Sequence, residues 1–275
     1  SAIRTDEVQE HIRELRERFR GRKVMLGVDR LDMIKGIPHK LLAFEKFLNE
    51  NPEWKDKVNL IQIAVPTRSD VPEYQRLASQ VHEIVGRING RFGSIGSVPI
   101  QHLDCTMQFP ELCALYAVTD VMLVTSQRDG MNLVSYEFVS CQTEDNAGVL
   151  VLSEFAGAAQ SIGAGALLVN PHNVTDVANA IKEALIMPEA EKIERFHSSF
   201  SHVSVHTSQA WADTFISELN DTHVEAELRQ KRIPPHLKPH VMVKSFENAR
   251  KRLIILGYNA TLTDPMENKT KVRPK

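Results

Sequence analysis

A turn with a carboxylate on either side is the arrangement in this chain best suited to chemistry. Arg128-Asp129-Gly130-Met131-Asn132-Leu133-Val134 follows the apolar, strand-like run Val121 to Ser126 and opens a helix-like run that reaches Glu137. A strand that releases a Gly-containing turn into a helix N-terminus presents free backbone N–H groups and a positive dipole end, a combination that binds phosphate. Asp129 and Glu137 have seven residues between them, so one carboxylate sits in the loop and the other emerges after the first helical turns. Both can accept hydrogen bonds from sugar or ribose hydroxyls.

A second group has matching chemistry. The apolar run Lys23 to Val28 leads into Asp29-Arg30-Leu31-Asp32, and Lys35-Gly36 closes a loop before Pro38 starts a helix. Ligands of doubly wound sheets collect at the carboxyl ends of strands, so Arg30 and Lys35 are expected in the crevice faced by the Asp129 loop. Two fixed cations there would neutralise a diphosphate. The competing reading is a surface ion pair of Arg30 with Asp29 or Asp32, which contributes little. Val65-Pro66-Thr67-Arg68 ends another apolar run and offers a third cation, for which a surface pair with Asp70 is the alternative.

These loops need a scaffold, and periodicity supplies one. Val8, Ile12, Leu15 and Phe19 repeat at helical spacing within Thr5 to Arg20, and Pro38 to Asn49, Val71 to Ile88 and Phe109 to Val118 read as further helices. Val58 to Val65, Val98 to Leu103, Val121 to Thr125, Val149 to Leu152 and Ala166 to Val169 read as strands, with helices between and after them. That alternation predicts an α/β fold with a doubly wound parallel sheet.

Composition excludes several classes. A chain of 275 residues with 42% hydrophobic content can bury a substantial core. A net charge of -2 gives no electrostatic case for nucleic acid or an anionic membrane. No apolar run has the length of a membrane span and no signal peptide is visible, although a chain opening on Ser1 would not show a targeting segment. Cys105, Cys113 and Cys141 lack metal-ligand spacing and read as reduced thiols of a cytoplasmic protein. The 11 histidines show no paired helical spacing, so His197, His202 and His206 read as surface residues, and no metal site is expected. Glu154, ahead of Ala156-Gly157-Ala158-Ala159, reads as a helix-entry residue, and Thr143-Glu144-Asp145-Asn146 as a solvated connection.

Five ordered blocks carry a resemblance. Val28-Asp29-Arg30-Leu31-Asp32 with Lys35-Gly36, Gln62-Ile63-Ala64, Gly86-Arg87-Ile88-Asn89-Gly90-Arg91-Phe92-Gly93, the Asp129 loop, and Val149 to Ala159 resemble the UDP-forming trehalose-6-phosphate synthases, in wording nearest the plant enzymes. The resemblance implies the C-terminal Rossmann-like domain of a GT-B glycosyltransferase, which transfers glucose from UDP-glucose to glucose 6-phosphate with retention, without cofactor or metal. It implies that Arg30 and Lys35 stabilise the departing diphosphate and Asp129 orients glucose hydroxyls. Glu137 would hold the ribose, Gly130, Met131, Asn132 and Leu133 would line the donor site with the Asn132 and Leu133 N–H groups on phosphate, and the neighbourhood of Met107 would pack on uracil. Arg68 matches an acceptor-phosphate contact. Homo- or hetero-oligomers with other synthase or phosphatase chains are compatible with it.

The same resemblance divides the chain into a donor-binding domain, residues 1–220, a linker, 221–240, marked by Pro234-Pro235 and Pro239, and the truncated start of a phosphatase-like domain, 241–275. There Val243 to Lys251 reads as a helix and Arg252 to Leu256 as a strand. Gly257 and Asn259 stand where the phosphatase motif needs its nucleophilic and acid/base aspartates, so covalent phosphatase chemistry is excluded at that motif. Because an acceptor-side domain is missing, the isolated chain is expected to bind donor only. A sucrose-phosphate or starch synthase, or a noncatalytic regulatory or interaction fragment of the same family, are the rival readings.

Overall fold

Six runs rich in Val, Leu and Ile, too apolar to leave either face in water, become six strands: β1 Lys23–Arg30, β2 Val58–Val65, β3 Ile100–Leu103, β4 Val121–Val124, β5 Val149–Ser153 and β6 Leu167–Val169. All pair in parallel in the order β3-β2-β1-β4-β5-β6, the doubly wound arrangement expected from the alternation. The computed structural model describes residues 2–232, 234, 236–258 and 262, and the chain divides into two compact units, Ser1–Ala212 and Asp213–Lys275.

Successive side chains of a strand leave opposite faces, and two separate cores result. Met25, Leu60, Leu123 and Val151 pack with helices α2 Ile37–Glu50, α3 Pro72–Phe92 and α7 Val174–Ile186. Leu26, Ile61, Met122 and Leu152 pack on the other side with α1 Asp6–Arg18, α4 Phe109–Val118, α5 Leu133–Cys141 and α6 Ala158–Ile162. Each fully buried Leu or Phe of these cores contributes about 1.5–3 kcal/mol through its removal from water. Helix α8 Glu189–Val205 follows, and α9 Ser208–Arg232 begins in the first unit.

Several boundaries shift for identifiable reasons. α3 continues past Ile88 to Phe92, and Asn89 clamps it to β3 with two bonds of 2.9 Å, one to the Ile100 carbonyl and one from the Ile100 N–H. β3 starts at Ile100 rather than Val98 because Pro99 has no N–H for the ladder. The connection Thr143 to Asn146 is more than a solvated loop, since Asn146 Nδ2 donates to the Ala117 carbonyl at 2.5 Å.

In the second unit, α9 runs unbroken past residue 220 to Arg232, and α10 spans Pro239–Asn248, starting at a proline that needs no N–H in a first turn. The strand expected over Arg252 to Leu256 is absent: these residues lie exposed without regular structure, Leu253 at 86%. A lone strand has no ladder partner for its backbone groups and no sheet face to bury. Gly257 sits in the same irregular stretch, whereas Asn259 lies outside the described residues.

Candidate functional site

The strand order reverses between β1 and β4, so the loops leaving these neighbours diverge and open a crevice at their carboxyl ends. The β1 loop is built by its polar residues. Asp32 accepts from the Ile34 N–H at 3.2 Å and caps a single 3-10 turn, Met33–Lys35, which Gly36 ends with φ 66. A side chain at Gly36 would strike the Thr125 carbonyl of the β4 loop. The Gln127 N–H then donates to the Ile34 carbonyl at 2.7 Å and ties the two loops together.

This close approach brings Lys35 Nζ to 2.5 Å from Asp129 Oδ2, with the two side chains only 14% and 16% exposed. Asn132 Nδ2 at 3.1 Å and Ser126 Oγ at 3.5 Å donate to the same oxygen. Burial by itself raises the Asp129 carboxyl, but hydrogen bonds from Lys35 and Asn132, the Lys35 charge and the Met131 N–H outweigh it and hold the group below the ordinary carboxylate range. Asn132 adopts the left-handed conformation, φ 74, and its side chain accepts from the Ser135 N–H at 3.1 Å, capping α5. The next helical N–H groups, of Leu133 and Val134, have no intrahelical acceptor by position and sit at the positive end of the helix dipole.

The loop rests on a floor formed by Phe155 to Ala158. Asp129 N–H donates to the Phe155 carbonyl, Gly157 N–H to Asp129 and Ala158 N–H to Met131, at 3.2, 3.0 and 2.9 Å. A Cβ at Gly157 would meet the Gly130 carbonyl, so the small residues of this run allow the Asp129 loop to lie on it. Glu154 is exposed, and its N–H donates to Val169 at 3.0 Å.

Below Arg30 lies an ion pair that the sequence did not announce. Lys40 Nζ is 2.5 Å from Asp29 Oδ2, both side chains are almost fully buried, and Gln62 Nε2 donates to the same oxygen at 3.1 Å. A lysine on an otherwise apolar helix face was the available signal. Gly27 leaves room for this group, since a Cβ there would collide with Lys40 and Gln62. Breaking such a pair by removing one partner is strongly destabilising, on the order of 3–5 kcal/mol, and the pair therefore fixes the origin of the Arg30 loop.

The remaining sequence-derived residues are spread wider. Arg30 is 60% exposed with Asp32 at 3.7 Å, the surface pair that competed with a ligand role. Arg68 is exposed at φ 48 and donates to Tyr74 Oη at 3.0 Å, so its partner is Tyr74 rather than Asp70. Met107 packs against the α1–α4 core and lines a cavity of about 200 Å³ with Leu15, Phe19 and Leu115. Glu137 instead faces a cavity of about 570 Å³ between α4, α5 and α8, lined among others by Phe109, Tyr116, Leu133, Tyr136 and Phe200. Tyr116 Oη donates to Glu137 at 3.0 Å, and burial together with this carboxylate pushes the phenol far up. Asp129 does not line this cavity, whereas Leu133, at the start of α5, does. Gly130, Met131 and Leu133 are exposed.

The fold is a Rossmann-like domain whose β1 and β4 loops meet where the strand order reverses. The model of glycosyltransferase family 20 matches residues 1–221, and the chain belongs to that family. It is 65% identical to alpha,alpha-trehalose-phosphate synthase (UDP-forming) 1 of Arabidopsis thaliana over 97% of this chain and 28% of that protein. It is 54% identical to the Candida albicans synthase over 82% of this chain and 47% of that one. Among solved structures, the trehalose-phosphate synthase of Burkholderia xenovorans in complex with glucose-6-phosphate superposes with a TM-score of 0.73 at 39% identity, over 78% of this chain and 49% of that one. An E. coli protein bound with UDP-2-fluoro glucose gives 0.73 at 37% identity over the same shares. The chain therefore spans about a quarter to a half of the length of these relatives.

Proposed function

We propose that this chain is the donor-binding part of a retaining glucosyltransferase that moves glucose from UDP-glucose to glucose 6-phosphate, giving trehalose 6-phosphate and UDP. The observation that carries the reading is the Lys35–Asp129 pair at 2.5 Å, lying where the strand order reverses and beside the start of α5. In it, Lys35, Arg30 and the N–H groups at Asn132 and Leu133 meet the diphosphate, with Gly130 and Met131 shaping the loop, and Asp129 accepts from glucose hydroxyls. Glu137 accepts from the ribose, the neighbourhood of Met107 packs on the base, and Arg68 reaches the acceptor phosphate. Cations on the leaving group contribute most in a dry cleft, where their field is least screened. In a front-face displacement the acceptor hydroxyl proton passes to the departing phosphate as the new glycosidic bond forms on the same face. The Rossmann-like unit supplies the donor contacts and, toward the acceptor, Arg68, whereas transfer needs both substrates held at near-attack distance.

The same proposal places residues 1–220 as the donor domain, 221–240 as a connection and 241–275 as a phosphatase-like start without the nucleophile. It locates the protein in the cytoplasm, supported by three free thiols, Cys105, Cys113 and Cys141, with other synthase or phosphatase chains as partners. No helix among the described residues is long and apolar enough to cross a membrane.

Calorimetric titration of the purified chain with UDP and with UDP-glucose tests the reading, followed by an assay for trehalose 6-phosphate with and without an added N-terminal half. Binding of both nucleotides, with turnover only after the second half is added, is the expected result. Absence of any UDP binding would favour a noncatalytic interaction fragment, and turnover by the chain alone would overturn the donor-only assignment.

A further inference from the structure

We propose that His82, His102 and Asp104 form a binding site for a divalent transition-metal ion of the zinc type, which clamps α3 to the edge strand β3. His82 lies in the middle of α3, His102 within β3, and Asp104 two residues further on, so that strand and helix bring together residues spaced too far apart to read as a motif. His82 Nε2 is 2.5 Å and His102 Nε2 3.0 Å from the two oxygens of Asp104, the imidazole rings stand edge to face at 5.3 Å, and the three donor atoms all lie within 4.8 Å of one another. Ligands at about 2.0–2.2 Å from a tetrahedral ion stand about 3.3 Å apart, so small side-chain rotations convert this trio into a coordination sphere.

The scaffold beneath is fixed. Asn89, seven residues beyond His82 on α3, grips Ile100 of β3 with its two bonds, which holds helix and strand in register at the site. The His102 side chain is 8% exposed, and Nε2 is the ring nitrogen that faces Asp104. A metal-free His–Asp–His hydrogen-bonded trio is the rival account, and it requires the proton on Nε2 in both rings.

Two imidazoles and one carboxylate select zinc, cobalt, nickel or copper over magnesium and calcium, which favour all-oxygen sites. With His82 52% and Asp104 37% exposed, the remaining position opens to solvent and takes water. The site shares no residue with the Lys35–Asp129 pair, and among the described residues β3 pairs with β2 alone, so bound metal would brace the sheet edge that precedes the α4 connection.

The test uses the full chain, stripped with a chelator and titrated with Co²⁺. One Co²⁺ per chain with visible d–d absorption, displaced by Zn²⁺ but not by Mg²⁺, is expected, and Zn²⁺ should raise the melting temperature. His82→Gln and Asp104→Asn, both at exposed positions, should each weaken Co²⁺ binding by more than about tenfold, given that even supporting residues of metal sites matter by 10–100-fold. They should also abolish the Zn²⁺-dependent stabilisation while leaving UDP binding unchanged, which separates this site from the donor site. No cobalt spectrum in the parent chain, or equal cobalt affinity in both variants, for instance because the ion sits at the stacked His202 and His206, would overturn the assignment.

Discussion

Replacing Asp129 with asparagine keeps the shape of the loop and removes its charge, leaving Lys35 Nζ inside a pocket where its side chain is only 14% exposed. A charge-assisted hydrogen bond contributes about 1.5–3 kcal/mol, and leaving one partner of a fully buried pair uncompensated costs about 3–5 kcal/mol. The pair here is screened slightly at its edge, so a loss of about 2–3 kcal/mol at neutral pH is expected. The sign of the pH dependence follows from the lowered Asp129 pKa. A carboxylate depressed by folding stabilises fully above its unfolded value, near 3.9, and loses that contribution as pH falls through the folded value. The difference between parent and Asp129→Asn should therefore be flat from about pH 7 to pH 5 and shrink only below that. Urea unfolding followed by the fluorescence of Trp54, which packs against the core, measures it. Adding Lys35→Met to Asp129→Asn should restore part of the loss, since an apolar replacement of both partners leaves no stranded charge. Equal stability of parent and Asp129→Asn at pH 7, or a difference that grows on acidification, would refute the reasoning.

Other substitutions separate the proposed roles. Arg30→Ala should weaken UDP binding by about 1.5 kcal/mol, the low end for a charge-assisted bond at a 60% exposed side chain, and leave uridine binding unchanged; equal losses for both ligands would make Arg30 structural. Glu137→Gln should erase the preference for UDP over 2′,3′-dideoxy-UDP in calorimetry, whereas Glu154→Gln should preserve it, and an unchanged preference in Glu137→Gln would remove the ribose role. Gly157→Ala should destabilise by about 1–3 kcal/mol and weaken UDP binding, because its methyl group meets the Gly130 carbonyl and lifts the Asp129 loop; a variant with parental melting and binding would show that the loop yields freely.

The sheet was legible in the sequence because parallel strands buried on both faces must be apolar throughout, and β2 lies on Val58–Val65 as the run predicts. The pairing of Lys35 with Asp129 was half legible: each lay at a strand end, but only the adjacency of β1 and β4 joins them. Lys40 was only half legible: a lysine on an apolar helix face stands out, but its partner Asp29, eleven residues away across a helix–strand packing contact, does not. The contact of the Phe155–Ala158 run with the Asp129 loop was not legible because it is carried by backbone groups, which side-chain chemistry does not reveal. The Arg252 to Leu256 run failed for the opposite reason, since β-propensity without a neighbouring strand specifies nothing. Met107 and Glu137 share a ligand in the resemblance, yet line different cavities in this structure.

The charges of the crevice make a further demand on the proposed donor site. Lys35 is matched by Asp129 and Arg30 by Asp32, so a diphosphate arriving there meets cations already engaged. Binding must therefore be an exchange: the phosphate oxygens take Lys35, and Asp129 is left with acceptor capacity in a partly buried pocket. An unpaired carboxylate there is unfavourable unless new donors reach it, and the hydroxyls of a glucosyl unit are such donors. UDP alone frees the carboxylate without satisfying it, whereas UDP-glucose does both. The parent chain should thus prefer UDP-glucose to UDP. In Asp129→Asn that preference should collapse while UDP binding holds or tightens, because Lys35 is released from its partner. Calorimetric titration of both ligands against both chains decides it, and a preference for UDP-glucose that survives in Asp129→Asn would place the sugar on other residues.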